Sequence, residues 1–118
     1  MSKNKTVTIY HHPRCGTSRT TLALLEEKGI KPEIVLYMDN PPDSAHIKTL
    51  LKQLGFSSAR QLIRTKEDLY KELNLSEASE QQLIDAMSAN PKLIERPIVL
   101  VGGQARLGRP PEKVLEIL

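Results

Sequence analysis

The sequence predicts an α/β protein with a small, four-stranded mixed sheet flanked by helices. Three observations predict it. A strand–helix–strand pattern fills the first third, at the length of about 30 residues expected for a right-handed parallel crossover. Amphipathic helical stripes fill the middle. Two short runs on either side of Gly102-Gly103, the first rich in β-branched residues, then a last helical stretch, fill the end. A helical insert therefore separates a βαβ unit from a C-terminal ββα unit. At 118 residues, the chain is expected to be one domain spanning 1–118.

Each element has a local reason. Thr6-Val7-Thr8-Ile9-Tyr10 is β-branched and aromatic throughout, which suits a strand. The loop His11-His12-Pro13-Arg14 follows, and Cys15-Gly16-Thr17-Ser18-Arg19 opens a helix. Its apolar face carries Leu22, Leu24 and Leu25, and Lys28-Gly29 closes it with a basic last turn and a glycine. Glu33 to Tyr37 forms the second strand. Pro41-Pro42-Asp43 starts the next helix, where Ile47, Leu50, Leu51 and Leu54 make one stripe ended by Gly55. Ser57-Ser58 leads a short helix with Ala59, Leu62 and Ile63. Leu69 to Leu73 adds a helical turn or two. Ser79-Glu80-Gln81-Gln82 fits a capping box ahead of Leu83, Ile84 and Met87, and Asn90-Pro91 stops that helix. Ile98–Val101 and Gln104–Leu107 read as a hairpin. Gly108-Arg109-Pro110-Pro111 then leads into a helix with Val114, Leu115 and Leu118 on its apolar face.

Composition excludes several function classes. No apolar run approaches the roughly 20 residues of a membrane span. The N-terminal Met1-Ser2-Lys3-Asn4-Lys5 has no small-residue cleavage pattern and does not read as a secretory signal. A single cysteine makes neither an internal disulfide nor a cysteine-rich metal site, so no metal is expected and the expected location is the cytoplasm. Seventeen Lys and Arg against fourteen Asp and Glu give a charge of +3. The lysines are scattered, and the only aromatics are Tyr10, Phe56, Tyr37 and Tyr70. Nucleic-acid binding is therefore not expected, and a small anionic substrate accounts for the excess equally well.

Cys15 follows a strand and stands at the start of a helix. Unpaired N–H groups and the helix dipole favour an anion there, and a thiolate is one. Arg14 and Arg19 add positive charge on either side. The alternative is a lone cysteine packed as a small hydrophobe. Ser18 occupies the position where a thioredoxin-type redox turn has its second cysteine. It either hydrogen-bonds to the thiolate or caps the helix. Any disulfide made by Cys15 must involve a thiol from another molecule. Of the seven arginines, Arg64, Arg96 and Arg109 stand out by position. Arg64 ends an apolar turn, Arg96 precedes Pro97 and a strand, and Arg109 follows the hairpin. Guanidinium groups match tetrahedral oxyanions. The bond before Pro97 is open to either isomer, cis or the trans form usual at a strand's first residue.

The run Tyr10-His11-His12-Pro13-Arg14-Cys15-Gly16-Thr17-Ser18-Arg19 resembles the active-site segment of the glutaredoxin-coupled arsenate reductases, the ArsC family. The likeness continues through Val35-Leu36-Tyr37, Asn40-Pro41-Pro42, Arg60-Gln61-Leu62-Ile63-Arg64, Leu83-Ile84-Asp85, Glu95-Arg96-Pro97-Ile98-Val99 and Arg109-Pro110. It covers the chain in order. The resemblance implies a thioredoxin-like fold with Pro97 in cis, Cys15 as nucleophile, and Arg64, Arg96 and Arg109 holding an oxyanion. His11, Ser18, Arg19 and Pro97 would support them. It further implies arsenate as substrate, no bound cofactor, glutathione and glutaredoxin as external reductants, and a monomer. The family's best-known arsenate reductases usually have Asn at the position of His12 and a small residue at that of Arg14. The chain's last helix has no tail after it, as in a shorter branch of the family.

Two other function classes share the fold. A regulatory protein like Spx, which contacts RNA polymerase, usually carries a two-cysteine switch, which is absent here. A monothiol glutaredoxin-like oxidoreductase would match Cys15-Gly16-Thr17-Ser18 but leave the three arginines and the helical insert unexplained.

Overall fold

The computed structural model describes residues 6–118. They form two compact units. One joins the N-terminal segment through Tyr37 to Arg96–Leu118, and the other is Met38–Glu95.

The first unit contains all four strands: β1 (Val7–Tyr10), β2 (Glu33–Val35), β3 (Ile98–Val101) and β4 (Gln104–Leu107). Their order is β2-β1-β3-β4. β1 runs parallel to β2, with Ile9 opposite Ile34, and antiparallel to β3, with Ile9 opposite Val99. β3 and β4 form the expected hairpin, Val101 facing Gln104 across Gly102-Gly103. Gly102 sits at φ 61°, which glycine adopts at no steric cost. The sheet is mixed and thioredoxin-like, as the sequence predicts.

Helix α1 (Gly16–Glu27) crosses between β1 and β2. It ends as its sequence suggests, with Gly29 at φ 77° and the Ile30 N–H returning to the Leu25 carbonyl at 3.0 Å. Its buried positions are Ser18, Thr21 and Leu25, whereas Leu22 and Leu24 are only half-buried. The inward stripe is thus rotated from the expected one, and two hydroxyls stand in it. Leu25 packs with Ile9, Val99, Val101, Val114 and Ile117 into the core of this unit. Burying a side chain of this size contributes roughly 1.5–3 kcal/mol.

The last element is a 3-10 helix, Pro111–Ile117, and not an α-helix. At about three residues per turn, Val114 and Ile117 share a face and are buried. Leu115 and Leu118, expected on the inner face, are exposed. The second strand is also shorter than expected. It stops at Val35, and Tyr37 lies beyond it, buried.

The second unit is helical: α2 (Ser44–Leu54), α3 (Asp68–Glu72) and α4 (Glu80–Ala89), with short 3-10 turns between. The stripe of Ile47, Leu50, Leu51 and Leu54 is buried, as are Leu83, Ile84 and Met87 of α4. Ser79 and Gln82 make the expected capping box. A second box, Ser58 with Gln61, starts the 3-10 turn Ala59–Gln61. After it the chain is extended rather than helical. Ile63 pairs with Ile94 in an isolated antiparallel bridge, with Arg64 N–H on the Leu93 carbonyl and Glu95 N–H on the Leu62 carbonyl. The pairing partner is 31 positions away, which local periodicity does not reveal. No helix is long and apolar enough to cross a membrane among the described residues.

Candidate active site

β1 ends at Tyr10 and α1 begins at Gly16, so His11 to Cys15 make the turn between them. The His11 N–H bonds the Val35 carbonyl at 2.9 Å, extending the β1–β2 pairing by one step. The Cys15 N–H then donates back to the His12 carbonyl, also at 2.9 Å. This tight closure leaves Cys15 as the N-cap residue of α1, in extended conformation (φ −93°, ψ 122°).

Ser18 is fully buried in the first turn, facing the loop. Its hydroxyl oxygen lies 2.7 Å from His11 Nδ1 and accepts the His12 N–H at 3.0 Å. Neither role expected of its side chain is therefore filled. Cys15 already holds the N-cap position, and the Ser18 hydroxyl is spent on the two histidines. The Ser18 main-chain N–H acts on the sulfur instead.

The Cys15 thiol is held below its ordinary pKa. Burial is the largest influence and opposes ionisation. It is outweighed together by the Ser18 N–H, a hydrogen bond and the charge from Arg96, and the charge of Arg109. Arg109 comes from the exit of β4. Its Nε donates to the Arg96 carbonyl at 2.7 Å, and its Nη2 lies 3.6 Å from Cys15 Sγ. Each of these arginines precedes a proline, and both bonds, Arg96–Pro97 and Arg109–Pro110, are cis.

His11 is buried and held below its ordinary pKa, by burial first and by the Arg19 charge second. It is therefore neutral near pH 7. Arg19 reaches back across the turn, its Nη1 donating to the Pro13 carbonyl at 2.9 Å. Arg64 belongs to the helical unit. Its Nη1 pairs with Glu95 at 3.1 Å and its Nε with Glu67 at 3.4 Å.

Gly108 is a positioning feature the sequence reading missed. A Cβ there would stand 2.6 Å from Thr21 Oγ1 and 2.8 Å from Pro97 Cγ. Its N–H donates to the Pro97 carbonyl at 2.9 Å. The absence of a side chain lets the β4 exit pass between α1 and Pro97, which sets where Arg109 starts. The signal in the sequence was a glycine directly after a strand and before Arg109. No group of three or more His, Cys, Asp or Glu side chains suited to a metal occurs among the described residues.

The first unit therefore brings one activated thiol and two guanidinium groups together at a helix N-terminus. That arrangement can hold a tetrahedral oxyanion against a sulfur nucleophile. The whole chain is similar to known proteins. The chain is 61% identical over 116 residues to the uncharacterized protein YfgD of Escherichia coli K12, covering 97% of this chain and 98% of that one. It is 51% identical over 114 residues to an arsenate reductase of Haemophilus influenzae, covering 95% and 98%. The solved arsenate reductase of Vibrio cholerae superposes with a TM-score of 0.94 at 54% identity, over 97% of this chain and 98% of that one. Residues 10–117 match the ArsC family model. The chain belongs to the ArsC family.

Proposed function

We propose that this protein is an arsenate reductase that works through a covalent Cys15–arsenate adduct. The observation that carries the reading is the approach of Arg109 Nη2 to within 3.6 Å of Cys15 Sγ, on a thiol already biased toward its anion. Arsenate binds on Arg96 and Arg109. Arg64 is proposed as a third oxyanion ligand, on the family resemblance. The thiolate attacks arsenic, a sulfur–arsenic bond forms, and an arsenate oxygen leaves as water after protonation. The guanidinium groups neutralise the charge that builds on the oxygens.

The chain has one cysteine, so the second thiol comes from outside. Glutathione attacks the adduct. The two sulfurs join as a disulfide and give up two electrons, arsenic(V) becomes arsenic(III), and arsenite leaves. Cys15 remains as a mixed disulfide with glutathione. Glutaredoxin then takes the glutathione by thiol–disulfide exchange and restores the Cys15 thiol. His11, Ser18, Arg19 and Pro97 shape the loop and the sulfur's surroundings.

The test is arsenate-dependent NADPH oxidation with glutathione, glutaredoxin and glutathione reductase present. Wild type should turn over and Cys15→Ser should not. Full activity in Cys15→Ser would refute the mechanism.

A further inference from the structure

Arg96 and Arg109 act on the sulfur's charge, and Arg14 is not among the groups that do. It directly precedes Cys15 and is exposed. Among the described residues it makes no hydrogen bond and no ion pair. Arg19, one turn into α1, is also exposed and also without an ion pair, its Nη1 bonded only to the neutral Pro13 carbonyl. No acidic residue stands in the first turn of α1. Arg109 is exposed as well. The segment carrying the sulfur thus holds two exposed cationic side chains that no acid neutralises, one directly before Cys15 and one in the first turn of α1. Two other arginines are matched by acids, Arg106 by Glu116 at 2.9 Å and Arg64 by Glu67 and Glu95, while the Arg60 guanidinium is held by the Tyr70 hydroxyl and the Leu75 and Ala78 carbonyls.

We propose that Arg14 selects the second thiol, favouring a thiol or disulfide that carries carboxylates over a neutral or cationic one. This deepens the reading above by naming the residue that recognises the external thiol. An exposed cation beside the reacting sulfur raises the local concentration of an anionic partner and steadies its carboxylates during exchange. The oxyanion ligands proposed above include Arg96 and Arg109, whose contacts with Cys15 do not involve Arg14. The effect belongs to surface charge, so salt screens it.

Thiol–disulfide exchange tests it without arsenate. The Cys15 thiolate attacks one sulfur of an added disulfide, a new S–S bond forms, the old one breaks, and the departing thiolate keeps the electron pair. Rates are measured by mass spectrometry with glutathione disulfide (anionic), hydroxyethyl disulfide (neutral) and cystamine (cationic). Each rate is divided by the rate of alkylation by neutral iodoacetamide at the same pH, which removes any change in the thiolate fraction. Arg14→Gln should lower the ratio of glutathione disulfide to hydroxyethyl disulfide by about three- to tenfold at low salt. Arg14→Lys should keep most of it, and high salt should bring wild type down toward Arg14→Gln. An Arg14→Gln ratio equal to that of wild type at low salt overturns the proposal. If that ratio is unchanged while arsenate is still reduced, the selection by Arg14 falls and the arsenate reading stands. If the ratio drops but no arsenate is reduced, the reverse holds.

Discussion

Arg109 and Cys15 lie 94 positions apart in the chain, yet Arg109 Nη2 stands 3.6 Å from Cys15 Sγ. The contact is held from behind, because Arg109 Nε is anchored on the Arg96 carbonyl at 2.7 Å. One guanidinium thus faces the sulfur while its other side is fixed to the backbone of the second arginine. Arg109→Ala should raise the pH midpoint of Cys15 alkylation, since a charge that favours the thiolate is lost. It should also lower kcat/KM for arsenate by roughly 10- to 100-fold, the scale seen on losing one donor to developing negative charge. Alkylation rate against pH, with steady-state kinetics beside it, checks both. An unchanged midpoint would separate Arg109 from the thiol.

His11 makes stability depend on pH in a defined direction. Its pKa is lowered in the folded protein, so below the ordinary value of 6.5 the unfolded chain binds a proton that the native state resists. The contribution is fully present above that value and is lost as pH falls through the folded value. Thermal denaturation from about pH 7.5 down to about pH 5 should show wild type losing ground against His11→Gln. A constant difference across that range would contradict the assignment.

Ser18→Ala removes one hydroxyl from two buried partners, His11 Nδ1 and the His12 N–H. The cost should be about 1–3 kcal/mol, the penalty for leaving buried polar groups unsatisfied. Urea denaturation measures it. The Ser18 N–H remains in the variant, so the Cys15 alkylation midpoint should move less than in Arg109→Ala.

Gly108→Val places carbon where 2.6 Å separates the Cβ position from Thr21 Oγ1. Overpacking of this kind costs about 1–3 kcal/mol, and the displaced β4 exit should move Arg109 as well. A lower melting temperature together with slower alkylation at neutral pH is the expected pair of results. Wild-type values for both would mean the close approach constrains nothing.

Much of this was legible from local pattern. Val7 to Tyr10, the Gly102-Gly103 hairpin, the Ile47 to Leu54 stripe and the Ser79–Gln82 box each depend on neighbours a few residues away. What was not legible depends on partners far along the chain. The Ile63–Ile94 bridge ends the expected short helix at the 3-10 turn Ala59–Gln61 and puts Ile63 in an extended pairing. The buried Ser18 and Thr21 rotated the inward face of α1 away from Leu22 and Leu24: Ser18 bonds His11, and Thr21 lies where the chain passes close at Gly108. The 3-10 form of Pro111–Ile117 moved the inner face from Leu115 and Leu118 to Ile117. In the site, the placement of Cys15 at a helix start followed from the residues alone. The meeting of Arg109 with its sulfur did not, and only the family resemblance pointed to it.

On the proposed mechanism, Cys15 carries the oxidation once per arsenate reduced. A single-turnover experiment with arsenate and glutathione but no glutaredoxin tests it most directly, with intact-protein mass and arsenite measured in the same sample. One glutathione on Cys15 is expected for each arsenite released, and neither product from Cys15→Ser. Arsenite formed while Cys15 stays a free thiol would contradict it.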